Sequence, residues 1–204
     1  MRHVFINCPF DHEYQPLFRA LVFAVLDCGF FPRCALERDD GSEPRIEKIR
    51  RIIDESDFGL HDISRTELDA ANGLPRFNMP LELGMYLGAR YFGRLHGGKA
   101  CVIFDRERYR YQKFCSDLAG HDIRAHGGEE HALIRGVRDA ARTWVPDRVL
   151  PGAGVMFARY SQFVTALPSL TAPLDLDSDA LTFADLVAVT DEWLRLNRPF
   201  APAS

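Results

Sequence analysis

Among its 204 residues the chain has no apolar run of about eighteen, the length needed to cross a bilayer, so no membrane span is expected. It has no excess of positive charge. Lys and Arg number 25 against 29 Asp and Glu, a formal charge of −4, which gives no electrostatic case for nucleic acid. Its five cysteines (Cys8, Cys28, Cys34, Cys101, Cys115) are scattered and form no CxxC pair. That excludes a disulfide frame or zinc knuckle and predicts reduced thiols. His121, His126 and His131 are spaced by five, which does not put them on one helical face, so no metal site is expected. Neither GxGxxG nor GxxxxGK[ST] occurs, which removes support for Rossmann dinucleotide and P-loop readings. No GxSxG elbow surrounds Ser64, which argues against a hydrolase triad with His61. The run Met1-Arg2-His3-Val4-Phe5-Ile6-Asn7 enters a strand pattern directly, without signal-peptide architecture, and a cytoplasmic location is the expectation. No internal repeat or low-complexity segment is visible.

What remains is an ordinary globular composition, 47% apolar, enough for a buried core. Apolar strand patterns at 3–7, 30–36, 58–63, 100–104 and 122–125 alternate with helical patterns at 15–27, 45–54, 78–92 and 129–144. Pro32 makes the second strand short or an edge. Asp40-Gly41, Gly97-Gly98 and Gly127-Gly128 read as turns. The alternation predicts an α/β fold: a five-stranded, mostly parallel, flavodoxin-like sheet with helices on both faces. Pro146, Pro151, Gly152 and Gly154 mark a break between an α/β domain (1–145) and a helical extension (146–204). The extension is expected to pack on the sheet domain or on a second subunit. Its helices are expected at 153–167 and 182–196, the second opened by a capping box of Thr182 and Asp185.

Ligands of doubly wound sheets sit beyond the carboxyl ends of the strands. Three segments are expected to converge there. The first is Asn7-Cys8-Pro9-Phe10-Asp11, with Tyr14 behind it. The second is His61-Asp62-Ile63-Ser64-Arg65, and the third is the helix start Asn78-Met79-Pro80-Leu81-Glu82. Asn78 reads as the N-cap and Glu82 as a first-turn carboxylate, in a setting that favours its ionised form. Such a group either complements the helix dipole or serves as a nucleophile or cation stabiliser. Asp62 can hold ribose hydroxyls or a base edge, or simply cap a loop. Tyr14 can orient a carboxylate or pack. Arg33, Arg45 and Arg65 can hold phosphates or remain solvated.

The order of these pieces resembles the nucleoside 2-deoxyribosyltransferase and TIR-like group of α/β N-glycosidases. Val4-Phe5-Ile6-Asn7-Cys8-Pro9-Phe10 resembles the group's opening strand. Pro80-Leu81-Glu82-Leu83-Gly84-Met85-Tyr86-Leu87-Gly88-Ala89 resembles its catalytic helix, and Lys99-Ala100-Cys101-Val102-Ile103-Phe104 the following strand. The similarity spans residues 3–126. It implies Glu82 as the nucleophile or cation stabiliser at the anomeric carbon and Asp62 as a contact to sugar or base. The implied substrate is a nucleoside, a nucleotide or NAD, cleaved or transferred without a cofactor. Bacterial proteins of this group are often defence or toxin effectors, and self-association is expected. The alternative is a non-catalytic module that senses a nucleotide and signals to a partner protein.

Overall fold

The computed structural model describes residues 1–38, 40–68, 73–93 and 98–198. Residues 69–72 of the loop before the Glu82 helix, and Gly97 of the Gly97-Gly98 turn, lie outside the described residues. The strands are β1 (His3–Asn7), β2 (Phe31–Arg33), β3 (Phe58–Asp62), β4 (Ala100–Asp105) and β5 (Ile123–Ala125). They form one sheet in the order β2-β1-β3-β4-β5, with every pairing parallel. This is the flavodoxin-like order expected from the alternation. The chain leaves β1 toward β2, then crosses back over β1 to β3. The switch point therefore lies between the carboxyl ends of β1 and β3. β2 is short and at the edge, as Pro32 requires: proline donates no ladder hydrogen bond.

Helices α1 (Gln15–Asp27) and α4 (Glu130–Trp144) cover one face of the sheet. Helices α2 (Arg45–Glu55) and α3 (Asn78–Phe92) cover the other. Helices α5 (Ala153–Thr171) and α6 (Phe183–Asn197) form a further layer on α1 and α4. The helix α1 is accordingly buried on all sides, including Phe18, Val22, Phe23 and Leu26, because it lies between the sheet and this outer layer. The Phe23 ring meets Tyr160 at 5.4 Å, Phe163 at 5.5 Å and Trp193 at 6.0 Å. A buried ion pair, Asp27–Arg159 at 2.7 Å, ties α1 to α5.

Two boundaries differ from the sequence reading. The helix α5 runs through Pro168 to Thr171 rather than stopping at 167, and burial of Leu167 and Thr171 holds that last turn. At α3 the N-cap is Phe77, not Asn78, which is the first helical residue. The first intrahelical bond runs from the Leu81 N–H to the Phe77 carbonyl. Glu82 thus falls in the second turn, beyond the free N–H groups. Thr182 does cap α6, accepting from the Asp185 N–H at 3.2 Å.

The aromatic cluster around Phe23 joins the outer helices to the sheet layer in one core. Phe163→Ala should therefore cost about 3–5 kcal/mol. In a denaturant titration the helical signal and Trp193 fluorescence should be lost in a single coincident transition.

Candidate functional site

Consecutive strand residues face opposite sides of a sheet. At the end of β3 this sends His61 toward α2 and α3, and Asp62 toward α1 and α4. Two polar clusters result, one on each side of the carboxyl edge.

On the α1/α4 side, Asp62 is 1% exposed. Its carboxylate accepts a hydrogen bond from the Tyr14 hydroxyl and one from the Ser64 N–H at 2.8 Å. His126 Nε2 lies 3.2 Å from the same carboxylate. The Gly128 N–H donates to His126 Nδ1 at 3.0 Å, which leaves the ring proton of the neutral form on Nε2, facing Asp62. Gly127 and Gly128 have φ of 63° and 84°, so the turn that supplies this N–H needs glycine. Burial pushes the Asp62 carboxyl up. The bonds from His126, Ser64 and Tyr14 overcome it and hold the carboxyl below its ordinary value. The Tyr14 hydroxyl is pushed well above its ordinary value by burial and by Asp62. A cavity of about 320 Å³ opens over this cluster, walled by Tyr14, Ser64, Arg65, Arg106 and His126.

On the α2/α3 side, Asn7 Nδ2 donates to the Met79 carbonyl at 2.9 Å and lies 3.1 Å from His61 Nδ1. Neither Met79 O nor an acceptor Nδ1 can supply a proton, so the amide orientation is fixed. Burial pushes His61 down to about 3, so the ring is neutral. It fits edge-on to Tyr86, at 4.7 Å, because Gly59 has no side chain: a Cβ there would lie 2.6 Å from His61 Nε2. Glu82 is 3% exposed. Its one partner among the described residues is Arg45, whose Nη2 lies 3.4 Å from Oε1 and whose side chain is half exposed. Burial raises the Glu82 carboxyl, and Arg45 only partly offsets it. This corrects the expectation that the helix dipole favours ionisation there. In the second turn, desolvation outweighs the dipole.

The fully buried Cys8 thiol lies between the clusters. It is pushed well above its ordinary value by burial, then by Asp62, Cys34 and Glu82. All five cysteines are free thiols.

The remaining candidates divide clearly. Asp11 caps the turn before α1 and binds Arg65 at 2.5 Å, and Glu13 binds the same guanidinium at 2.7 Å. These contacts bridge the β1 and β3 exits. Arg33 is committed to Glu37 and Glu55. Pro9 is buried, and Phe10 packs edge-on to Phe18 at 5.3 Å. Met79 is buried beside Leu83 and Ile103. Three residues were missed. His126 was weighed only by its spacing from other histidines, although its place one residue after a strand end was readable. Asp105 and Arg110 form the other omission. Arg110 binds Asp105 at 2.8 Å and the carbonyls of Ile63 and Ser64 at 3.1 and 2.7 Å, so it clamps the β3 exit to β4. Burial raises the Asp105 carboxyl against its bonds from Arg110 and the Arg106 N–H.

No protein-family model matches this chain, and no curated protein matches it.

The two carboxylates should respond oppositely to pH. Asp62 lies below its ordinary value when folded. Its contribution is present above the unfolded value of about 3.9 and is lost as pH falls through the lower folded value. Glu82 binds its proton more tightly when folded, so its contribution is full below about 4.3 and is lost as pH rises through the folded value. Asp62→Asn should therefore destabilise by about 3 kcal/mol at neutral pH. Glu82→Gln should raise the melting temperature by a few degrees at neutral pH, with the gain fading toward pH 4. Thermal melts across pH check both. A Glu82→Gln gain that grows on acidification would contradict the assignment.

Proposed function

We propose that the protein cleaves or transfers the N-glycosidic bond of a nucleotide, a nucleoside or NAD at the switch-point crevice, with Glu82 as the reacting carboxylate. The observation that carries this reading is the state of Glu82: buried, desolvated and partnered only by a half-exposed Arg45 at 3.4 Å. A carboxylate with its charge so poorly compensated gains more from a nearby cation than a solvated one does. Breaking a C–N glycosidic bond builds positive charge on the sugar ring. A fixed anion beside it stabilises that charge more than it stabilises the neutral ground state. The same elevation makes Glu82 the more basic carboxylate and the better nucleophile, whereas Asp62 is kept anionic by three donors. The expected route is attack of Glu82 on the anomeric carbon with departure of the base, then release of the sugar to water or to a second base.

Arg45 supports an anionic substrate. Its guanidinium is half exposed and 3.4 Å from Glu82, so a phosphate arriving from solvent could take it over and free the carboxylate. Asp62 serves this chemistry from behind, holding Tyr14, Ser64 and His126 at the crevice.

One observation favours the sensor reading. The Tyr160 hydroxyl lies 3.1 Å from the Pro16 carbonyl and 3.0 Å from Glu130 Oε1, at the starts of α1 and α4. Pro16 and Glu130 both line the cavity over Asp62, so α5 touches its wall directly.

Incubation with NAD, NADP, nucleosides, deoxynucleosides and nucleotides, with base release followed by chromatography, tests the proposal. Wild type should release base from at least one of them. Glu82→Gln should lose about a hundredfold or more of the rate while still binding the substrate. Equal rates for both would remove Glu82 from the chemistry. Saturable binding without release by wild type would favour the sensor.

A further inference from the structure

A second cavity, of about 560 Å³, opens beside the outer edge of β5, between the loop that follows β4 and α4. It shares no lining residue with the cavity over Asp62. Its volume is in the range of small-molecule sites. Three arginines reach its wall: Arg108 from the loop, Arg124 from β5 and Arg135 from α4.

The pairing of these arginines sets them apart. At the crevice rim Arg45, Arg65 and Arg110 each hold a carboxylate. The side chains of Arg108 and Arg135 make no hydrogen bond or ion pair with any described residue. Arg124 spends one N–H on the Gly136 carbonyl at 2.5 Å, and its other donors stay free. Two aspartates share the wall, Asp122 and Asp139. Asp139 is already engaged by Arg138 at 3.2 Å. Three guanidinium groups thus face one unengaged carboxylate, on a chain whose net charge is −4.

Tyr109 supplies a second, independent feature. It is one of two non-glycine residues with positive φ, at 61°, among the described residues. That backbone setting is strained for a tyrosine, and strained positions cluster where ligands are held. Here Tyr109 is 67% exposed at the cavity wall. An exposed aromatic face beside free guanidinium forks matches a ligand that carries both a planar base and a phosphate.

From these features we infer that the β5-edge cavity is a binding site for a 5′-mononucleotide, with Arg108, Arg124 and Arg135 on the phosphate and Tyr109 against the base. The site is separate from Glu82 and does not depend on the reaction proposed there. It does adjoin the crevice. Ala125 lines the β5-edge cavity, and the next residue, His126, touches Asp62. Occupancy therefore bears on the β5 exit that completes the Asp62 cluster.

Calorimetric titration of the full chain with AMP, adenosine and inorganic phosphate tests the site. AMP should bind saturably and more tightly than either fragment, with affinity falling as salt rises. Arg108 and Arg135 are exposed, so R108A/R135A should fold normally, and it should weaken AMP about tenfold or more. Tyr109→Gly should raise the melting temperature by relieving the backbone while weakening AMP. Unchanged AMP affinity in R108A/R135A, or no saturable AMP binding by wild type, would overturn the site. Phosphate binding as tightly as AMP would overturn the nucleotide assignment.

Discussion

The carboxyl edge of this sheet is organised around one buried anion, Asp62. Taking a carboxylate out of water costs several kcal/mol unless donors replace the water. Here they come from three separate strand exits. Tyr14 follows β1, the Ser64 N–H follows β3 and His126 follows β5. The anion is tolerable only when all three are in place, so its burial fixes the spacing of those exits. Arg110 repeats the device one strand over, joining Asp105 at the end of β4 to the carbonyls of the β3 exit. A crevice that would otherwise be a set of independent loops is thereby held by buried charge.

Glu82 is the counter-case. Asp62 is surrounded by donors and pulled below its ordinary value. Glu82 is equally buried, has one distant guanidinium and is pushed up. The difference is geometric. Asp62 sits at a strand end, where three loops can bring donors. Glu82 sits one turn inside α3, where the backbone N–H groups are already bonded. The chain thus carries one stabilised and one unstabilised carboxylate on opposite sides of the same edge, with Cys8 in the field of both. Burying an under-compensated charge reduces stability, and such costs are typical where a group is kept for its reactivity.

Much of this was legible in the residues. Alternating strand and helix patterns fixed the parallel sheet, and Pro32 placed β2 at the edge. The two-sided burial of α1, with Phe18, Phe23 and Leu26 covered by the outer helices, follows from where the helical extension packs, which the residues leave open between the sheet domain and a second subunit. The expected single convergence of three segments divides into two clusters, because the consecutive His61 and Asp62 face opposite sides of the sheet. The Asn78 cap was misjudged because residue preference favours asparagine, whereas the loop delivers Phe77 in the capping position. That slip of one residue moved Glu82 out of the first turn, and its burial, which the residues alone do not show, is what raises its carboxyl. Arginine partners split by sequence distance. Arg33 with Glu37 is a local pair, while Arg65 with Asp11 spans 54 residues and depends on the strand order.

The outer helices complete the argument, because they decide how freely the crevice can move. Helices α1 and α4 begin at the cavity over Asp62; α1 is covered by α5 and α6, and α4 by α5. Asp27–Arg159 anchors the far end of α1 to α5, while Tyr160 spans the near ends of α1 and α4. A rigid-body shift of either helix would break a buried polar contact at one of these points and disturb the Phe23 aromatic cluster. Among the described residues the opposite wall has no such outer layer. There, α2 and α3 carry Arg45 and Glu82 with solvent beyond them, and the Arg45–Glu82 contact is long and half exposed. The α2/α3 side is therefore the less constrained of the two, because Arg45 can leave Glu82 at little cost. The Asp62 side is the more firmly held wall.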